Sequence, residues 1–298
     1  MKSLHPDLSA VSSASAAEQM RQCGYLEVPI NGKNLCFHKN RALSQFSQLI
    51  ADPERDKFIY RGTDEDYDIG FYDRNGEAKE TLTSQERAEQ RNQYDRKEYF
   101  HADADTYQLL KRQGAPVERY PGLFQACRQF NIQASSIAKV LAQTLDHGSD
   151  GAYPSSFRQK IEDPRSRVVT RIMRYKPQEE GVSIAALHRD KAAVTVHWFS
   201  THAGLVFYDA QAQPVVLQDT DPNTALVFLG RKAWAAMRGT YGKGSVHGAH
   251  NAVALQGREH RFVIVTFVHC FLDDDDKAWA SAHEGDIKIR DAEFPSLN

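Results

Sequence analysis

Two residues that can bind a metal, His188 and Asp190, stand one residue apart at the end of the run Ala-Ala-Leu-His-Arg-Asp. If this run forms a strand, alternate residues share one face, so both side chains can point to the same place. A further histidine, His250, follows 60 residues after Asp190. Two imidazoles and one carboxylate form a ligand set used for non-haem iron, and they leave coordination positions open for other reactants.

An arginine, Arg261, opens an apolar run shortly after His250. A guanidinium group binds a carboxylate through two parallel hydrogen bonds, so this residue could hold one end of a dicarboxylate co-substrate. A histidine and an aspartate at this spacing occur often by chance. The prediction of a metal site therefore depends on the histidine and the arginine that follow.

The composition is that of an ordinary soluble globular protein, with 41% hydrophobic and 26% charged residues in 298. A formal net charge of −2 gives no reason to expect a nucleic-acid or anionic-membrane partner. No apolar run approaches the roughly 20 residues that cross a bilayer, and the first residues do not resemble a secretory signal. The four cysteines are scattered, which predicts free thiols in a reducing cytoplasm.

The pattern of the chain changes at about residue 165. Before it we predict mainly helices, the best over 121–145, where apolar residues recur near the helical period. A helix over 12–23 and a strand over 25–30 precede a polar, loop-rich stretch over 52–83. We predict one structural domain, divided into a helical N-terminal region over 1–165 that contributes a strand to the core, a β-rich core over 166–272 and a C-terminal tail over 273–298.

Short β-rich segments follow one another in the second half, separated by turn residues. They lie at 167–175, 192–199, 204–208, 214–217, 225–229, 245–255 and 261–271, with one short helix over 232–238. Many short strands with little helix between them indicate a sandwich or a barrel. The acidic run over 273–276 is predicted to be a solvated end.

Several segments resemble, in order, the Fe(II)/2-oxoglutarate-dependent oxygenases of the isopenicillin N synthase-like branch. They are Lys97-Glu98-Tyr99-Phe100, Arg174-Tyr175-Lys176-Pro177, His188-Arg189-Asp190, Val194-Thr195-Val196, Ala203-Gly204-Leu205-Val206, Val227-Phe228-Leu229-Gly230, His250 and Arg261. No segment is specific by itself, but the ordered set covers most of residues 95–271.

The resemblance implies a mixed α and β fold, a double-stranded β-helix (jelly roll) with flanking N-terminal helices. It implies an enzyme that binds Fe(II) through His188, Asp190 and a later histidine, and that uses 2-oxoglutarate and O2 to oxidise a small molecule. Arg261 would hold the distal carboxylate of 2-oxoglutarate. The substrate and the outcome of the reaction, whether hydroxylation, desaturation or cyclisation, are not implied.

The third metal ligand has two candidates, His247 and His250. His250 begins a His-x-x-Val run like that of the family, whereas His247 follows Lys243-Gly244, which also has family parallels. We expect His250 to be the ligand. The other histidine would then line the pocket or support a ligand.

The chain departs from the family pattern at Val263, where the branch has a serine that assists the co-substrate carboxylate. We suggest that the Tyr175 hydroxyl replaces it, although a buried aromatic with a satisfied hydroxyl is an equal alternative. The missing serine also leaves open an Fe(II) oxidase that does not use 2-oxoglutarate, as isopenicillin N synthase does not.

Other classes of protein remain as alternatives. A jelly-roll module that binds without catalysis is disfavoured because the ligands and the arginine are intact, and a structural zinc site is disfavoured because no fourth ligand is evident. His197 and His202 are expected to be structural or surface residues. Arg171 or Arg174 could meet an anionic substrate, but a solvated strand face is favoured for both. A monomer is the default.

Overall fold

The strands of this protein form two antiparallel sheets, which place the candidate ligands between them. The computed structural model describes residues 13–30, 32–60, 69–74, 97–149, 153, 155–177, 183–217, 223–242, 245–250 and 260–287. The helices are α1 (Ser13–Cys23), α2 (Gly32–Ala51), α3 (Thr106–Arg112), α4 (Pro121–His147), α5 (Phe157–Glu162), α6 (Arg231–Ala236) and α7 (Asp274–Ala282). The strands are β1 (Tyr25–Pro29), β2 (Gly70–Arg74), β3 (Lys97–Ala102), β4 (Arg167–Tyr175), β5 (Ser183–His188), β6 (Val194–Ser200), β7 (Leu205–Tyr208), β8 (Pro214–Leu217), β9 (Thr224–Leu229), β10 (His247–His250) and β11 (Arg261–His269).

The larger sheet has seven described strands in the order β1-β9-β6-β11-β4-β3-β2, and the smaller has four in the order β5-β10-β7-β8. Neighbouring strands pair antiparallel throughout. From β4 onward the chain passes back and forth, with β4, β6, β9 and β11 in the large sheet and β5, β7, β8 and β10 in the small one. Residues distant in sequence therefore face one another across the space between the sheets.

One face of the large sheet packs on helices, chiefly α4. Ile172, Val196 and Ile264 point to this side and join the main core together with Phe130 and Ile137 of α4. The alternate residues point to the small sheet, as the two-residue period of a strand requires. Ring contacts join the sheets there, with Phe207 of β7 and Phe228 of β9 at 5.0 Å between centroids.

Helix α4 confirms the helix predicted over 121–145. It begins at Pro121, whose fixed φ and missing N–H suit the first helical turn. Its apolar stripe is buried against the large sheet and against α2, which the sequence analysis did not identify. The predicted helices over 12–23 and 232–238 correspond to α1 and α6, and Gly24 ends α1 with a positive φ of 79°.

The strand predicted over 25–30 is β1, which forms one edge of the large sheet, whereas β2 and β3 were not predicted and extend the sheet at its other end. Strand β3 occupies residues assigned to a helical segment. Every residue from Glu98 to Ala102 is buried, so the strand lacks the alternation that identifies a half-exposed strand. Part of the stretch over 52–83 lies outside the described residues, but it contains β2 and the 3-10 turn Arg55–Phe58.

The prediction of a solvated acidic end over 273–276 holds for Asp273, Asp274 and Asp275, which are exposed at the start of α7, but it is wrong for Asp276. Asp273 caps α7 by accepting a hydrogen bond from the Asp276 amide at 2.8 Å. Asp276 is fully buried and forms an ion pair with Lys160 of α5, and Arg238 lies 3.4 Å from its other oxygen. The negative charge is tolerated in the interior because two cations neutralise it.

The four cysteines are free, as predicted. Within the described parts of the chain, no helix is both long and apolar enough to cross a membrane.

Candidate metal and co-substrate site

Three potential metal ligands converge between the sheets. His188 is the last residue of β5, Asp190 follows it, and His247 is the first residue of β10, directly opposite His188 in the register of the two strands. The Nε2 atoms of His188 and His247 lie 3.4 and 3.6 Å from the two oxygens of Asp190. One ligand atom from each residue lies within 4.8 Å of the other two.

These spacings fit a single bound ion. Two ligand atoms about 2.1 Å from a metal and at right angles to each other are roughly 3 Å apart. The two rings and the carboxylate therefore need only a small adjustment to share one ion. Asp190 and His247 are buried, whereas the His188 side chain is 46% exposed, so the open side of the site lies next to His188.

Asp190 is held in its ionised form. Burial by itself would raise its pKa, but the neighbouring His247 and His188 and a hydrogen bond from Thr195 together lower it below the usual value. The Thr195 hydroxyl donates to Oδ2 at 2.6 Å and fixes the direction of the carboxylate. An oriented, ionised carboxylate is the anionic ligand that a divalent metal requires.

His247 is held in its neutral form. Burial lowers its pKa to about 4, although Asp190 opposes this shift. The ring lies 4.6 Å from Phe228 and 5.7 Å from Phe207, between centroids, and its Nδ1 is 3.3 Å from the Ser245 carbonyl oxygen. A neutral imidazole keeps a lone pair for a metal, here on Nε2 if Nδ1 carries the proton.

The predicted third ligand, His250, is the last residue of β10 and lies opposite Ser183 in the strand register. Its side chain lies outside what the structure describes. Among the described side chains, it is His247 that joins His188 and Asp190. The position of His250 in the site stays a prediction.

The sequence prediction placed His188 and Asp190 on one strand, but in the structure Asp190 lies beyond the end of that strand. Strand β5 ends at His188, and Asp190 belongs to the connection to β6. The turn between β9 and α6 holds this connection, because the Arg231 amide donates to the Asp190 carbonyl oxygen at 2.8 Å. A Cβ atom on Gly230 would lie only 2.6 Å from that same oxygen.

Arg261 lies in the wall of a small cleft that is also lined by His197, Ser200, His202, Ala203, Leu205 and Leu217. Only 1% of Arg261 is exposed, and its Nε donates to the Ser200 hydroxyl at 2.9 Å. Burial lowers the pKa of the guanidinium. A buried cation at the wall of a cleft is suited to bind an anionic ligand.

Ser200 supplies a hydroxyl that the sequence analysis did not find. It stands opposite Val263 in the pairing of β6 with β11, so the hydroxyl missing at Val263 is present on the neighbouring strand. Tyr175, the residue predicted to replace it, is the strand partner of Arg261. The Tyr175 side chain is 6% exposed, and its hydroxyl lies 3.6 Å from the Met173 sulfur.

His197 lines the cleft, although an ordinary structural role was expected for it. It is 4% exposed, and its Nε2 has no hydrogen-bond partner among the described residues. Burial, with the nearby Arg261 and His247, lowers its pKa to about 3. A buried polar atom without a protein partner, in the wall of a cleft, is available to a bound ligand or a water molecule. His202 also lines the cleft.

The chain matches no family model and no curated protein. Solved structures do match over most of their length. The full-length thymine 7-hydroxylase of Neurospora crassa, in complex with alpha-KG (2-oxoglutarate) and thymine, has a TM-score of 0.67 at 13% identity, covering 95% of this chain and 86% of that one. This likeness decides the fold. The chain has the fold of the Fe(II)/2-oxoglutarate oxygenases.

Two further structures agree with this assignment. A 2OG-Fe(II) oxygenase family protein from Caulobacter crescentus has a TM-score of 0.65 at 15% identity, with 88% of this chain and 82% of that one covered. The dioxygenase for auxin oxidation 1 of Arabidopsis thaliana, in a complex with 2-oxoglutarate, has a TM-score of 0.63 at 18% identity, with 90% and 92% covered. At these identities the likeness concerns the fold alone, and the fold is the one that the sequence resemblance implied.

Proposed function

We propose that this protein is an Fe(II)/2-oxoglutarate-dependent oxygenase that oxidises a small molecule. The observation that carries the proposal is that a His-Asp-His cluster and the buried cation of Arg261 line the same space between the sheets. Strand β6 connects them, because Thr195 and His197 share one face of it: Thr195 donates to Asp190, and His197 lines the cleft beside Arg261. The placement in the isopenicillin N synthase-like branch stays a prediction.

The order of the strands supports a jelly roll, the double-stranded β-helix of our sequence prediction. Strands β4 to β11 alternate between two four-stranded halves, β9-β6-β11-β4 and β5-β10-β7-β8, as two interleaved Greek keys do. We propose that this core, with the helices on its outer face, forms one structural domain. The mouth between the two halves would then hold the reaction.

Iron would be held by His188, Asp190 and His247, which occupy one face and leave the other to reactants. Bound iron, together with 2-oxoglutarate and O2, supplies the oxidation of the substrate, while 2-oxoglutarate loses CO2 to become succinate. The protein keeps His247 neutral, Asp190 ionised and both shielded from water, so the site is formed before the metal arrives.

The distal carboxylate of 2-oxoglutarate would be held by Arg261 and by the Ser200 hydroxyl, which are already joined by a hydrogen bond. The unpartnered Nε2 of His197 lies along the same cleft and would donate to a co-substrate oxygen when it carries the proton. We propose Tyr175 as a neighbour that packs beside Arg261, rather than as the hydroxyl that replaces the missing serine.

An anaerobic titration with Fe(II) and then 2-oxoglutarate tests the proposal. We expect the visible metal-to-ligand charge-transfer band in the wild type, its loss in His247→Ala and its retention in His250→Ala. The opposite pattern in the two variants would make His250 the third ligand. Iron binding without the band would indicate an oxidase that ignores 2-oxoglutarate, and no iron binding would indicate a binding module.

A further inference from the structure

Strand β4 carries three arginines, and two of them have carboxylate partners. Arg167 lies 2.6 Å from an oxygen of Asp103, and Arg174 lies 2.6 Å from an oxygen of Glu98. For Arg171, the described residues provide no carboxylate within 4.0 Å and no hydrogen-bond partner for the buried Nε atom. Arg171 thus differs from Arg167 and Arg174 on the same strand, which form structural ion pairs.

The Arg171 side chain is half-buried and lies against aromatic rings. Its guanidinium carbon is 4.7 Å from the ring centre of Tyr99 and 5.1 Å from that of Phe267. Tyr72 stacks on Tyr99 with 5.2 Å between centroids and extends this aromatic surface. Cation–π contacts hold the guanidinium in place, but they do not satisfy its N–H groups.

This aromatic surface faces the space between the sheets. Arg171, Met173 and Tyr175 alternate along β4, so they share a face, and Met173 and Tyr175 pack with Ile184 of the small sheet. Arg171 therefore faces the same space between the two sheets as the proposed iron site.

Arg171 and Arg261 lie at separate places along the same pair of strands. Arg261 is opposite Tyr175, and Arg171 is opposite Val265, four residues further along β11. At about 3.4 Å per residue, the two positions are roughly 14 Å apart. A single 2-oxoglutarate bound at Arg261 would leave Arg171 available to a second molecule.

We propose that Arg171, held in place by Tyr99, binds the carboxylate of an anionic substrate whose planar apolar part packs on the partly exposed Phe267. This inference rests on the proposed function, since it names the class of the substrate that the same site would oxidise. A partly desolvated guanidinium that has no carboxylate partner among the described residues is unfavourable, and a carboxylate bound through two parallel hydrogen bonds removes that cost. A neutral analogue leaves the cation unpaired, so the site discriminates strongly against it.

Matched acid and amide pairs test this proposal. Phenylacetate, 3-phenylpropionate and 2-naphthylacetate, each with its primary amide, are titrated by calorimetry into the protein, metal-free and loaded anaerobically with Fe(II) and 2-oxoglutarate. We expect at least one acid to bind tenfold or more tightly than its amide. Arg171→Met should reduce that preference below threefold, and Arg171→Lys should retain part of it. Arg174→Met removes an already paired arginine from the same strand and should leave the preference intact.

The inference is overturned if no acid shows a tenfold preference in the wild type, or if the preference survives in Arg171→Met. It is also overturned if Arg171→Met abolishes the charge-transfer band, because Arg171 would then serve the co-substrate. Each of the two proposals can be contradicted without the other. A band without any preference for acids contradicts only the substrate class, and a preference without a band contradicts only the oxygenase.

Discussion

Thr195 controls the ligand Asp190 through one short, buried hydrogen bond. Replacing it with valine keeps the shape of the side chain and removes the donor. We expect Thr195→Val to weaken Fe(II) binding by about 10- to 100-fold, because residues that orient a metal ligand typically contribute that much. Anaerobic Fe(II) titration of the two proteins measures the difference.

Thr266 offers a matched control on the other face of the same sheet. Its hydroxyl is buried and bonded to Thr170 and Trp198, away from the ligands. Thr266→Val should lower the free energy of unfolding by about 1–3 kcal/mol and leave Fe(II) affinity unchanged. An equal loss of affinity in both variants would mean that Thr195 acts through general stability.

Some residues of the candidate site could be predicted from the sequence, and others could not. His188, Asp190 and Arg261 could be predicted because their types and order are distinctive. Ser200 could not, because it meets Arg261 only through the register of β6 against β11, and that register shifts at an irregularity between Ile264 and Val265. His197 was assigned a structural role for the same reason, since nothing local places it in the cleft.

Gly230 lies in the turn from β9 into α6, and this turn packs closely against the connection that carries Asp190. A Cβ atom there would lie 2.3 Å from the Ala192 carbonyl oxygen, so the backbone must move. We expect Gly230→Ala to cost about 1–3 kcal/mol of stability and to weaken Fe(II) binding as well. Urea unfolding and Fe(II) titration measure both effects. Gly285→Ala is the control, because a Cβ at Gly285 meets nothing within 4 Å.

The Lys160–Asp276 ion pair joins α5 to α7 in the interior. Removing one partner leaves a buried charge without compensation, so Asp276→Asn should lower the free energy of unfolding by about 3–5 kcal/mol. Asp274→Asn on the same helix, where the side chain is 99% exposed, should change it by less than about 0.5 kcal/mol. Urea denaturation measures the free energy of unfolding of both variants. Similar losses in the two would contradict a stabilising role of the buried ion pair.

Elements could be predicted where their pattern is local. The apolar stripe of α4 and the strands β4 and β8 were predicted at or close to their observed ends. Strand β5 was absent from the predicted segments, although the argument for the His-x-Asp pair presumed a strand there. Strand β3 was missed because both its faces are buried, and α7 because its acidic start resembles a solvated tail.

For the whole molecule, buried histidines make stability depend on pH. Burial lowers the pKa of His247 to about 4 and those of His197 and His269 to about 3, against about 6.5 in the unfolded chain. Below pH 6.5 the unfolded state therefore binds protons that the folded state does not, and stability falls with falling pH. The full contribution is present above pH 6.5 and is lost progressively as the pH falls toward 3.

We expect the metal-free protein to be less stable at pH 5.0 than at pH 7.5, by about 1–2 kcal/mol for each of these histidines. Urea unfolding at the two pH values measures the loss. His269→Gln removes one buried titrating group outside the proposed ligand set and should reduce the difference. Equal stabilities at both pH values would show that these rings are charged in the folded protein.

Strand β11 lies in the middle of the large sheet, between β4 and β6, although it is the last described strand in chain order. During synthesis β4 and β6 leave the ribosome long before the strand that joins them. At roughly 5–20 residues per second, the nascent chain presents unpaired strand edges for several seconds before residue 269 emerges. Such edges are sites of aggregation, so the order of the strands leaves the incomplete sheet exposed to association with other chains until its central strand arrives.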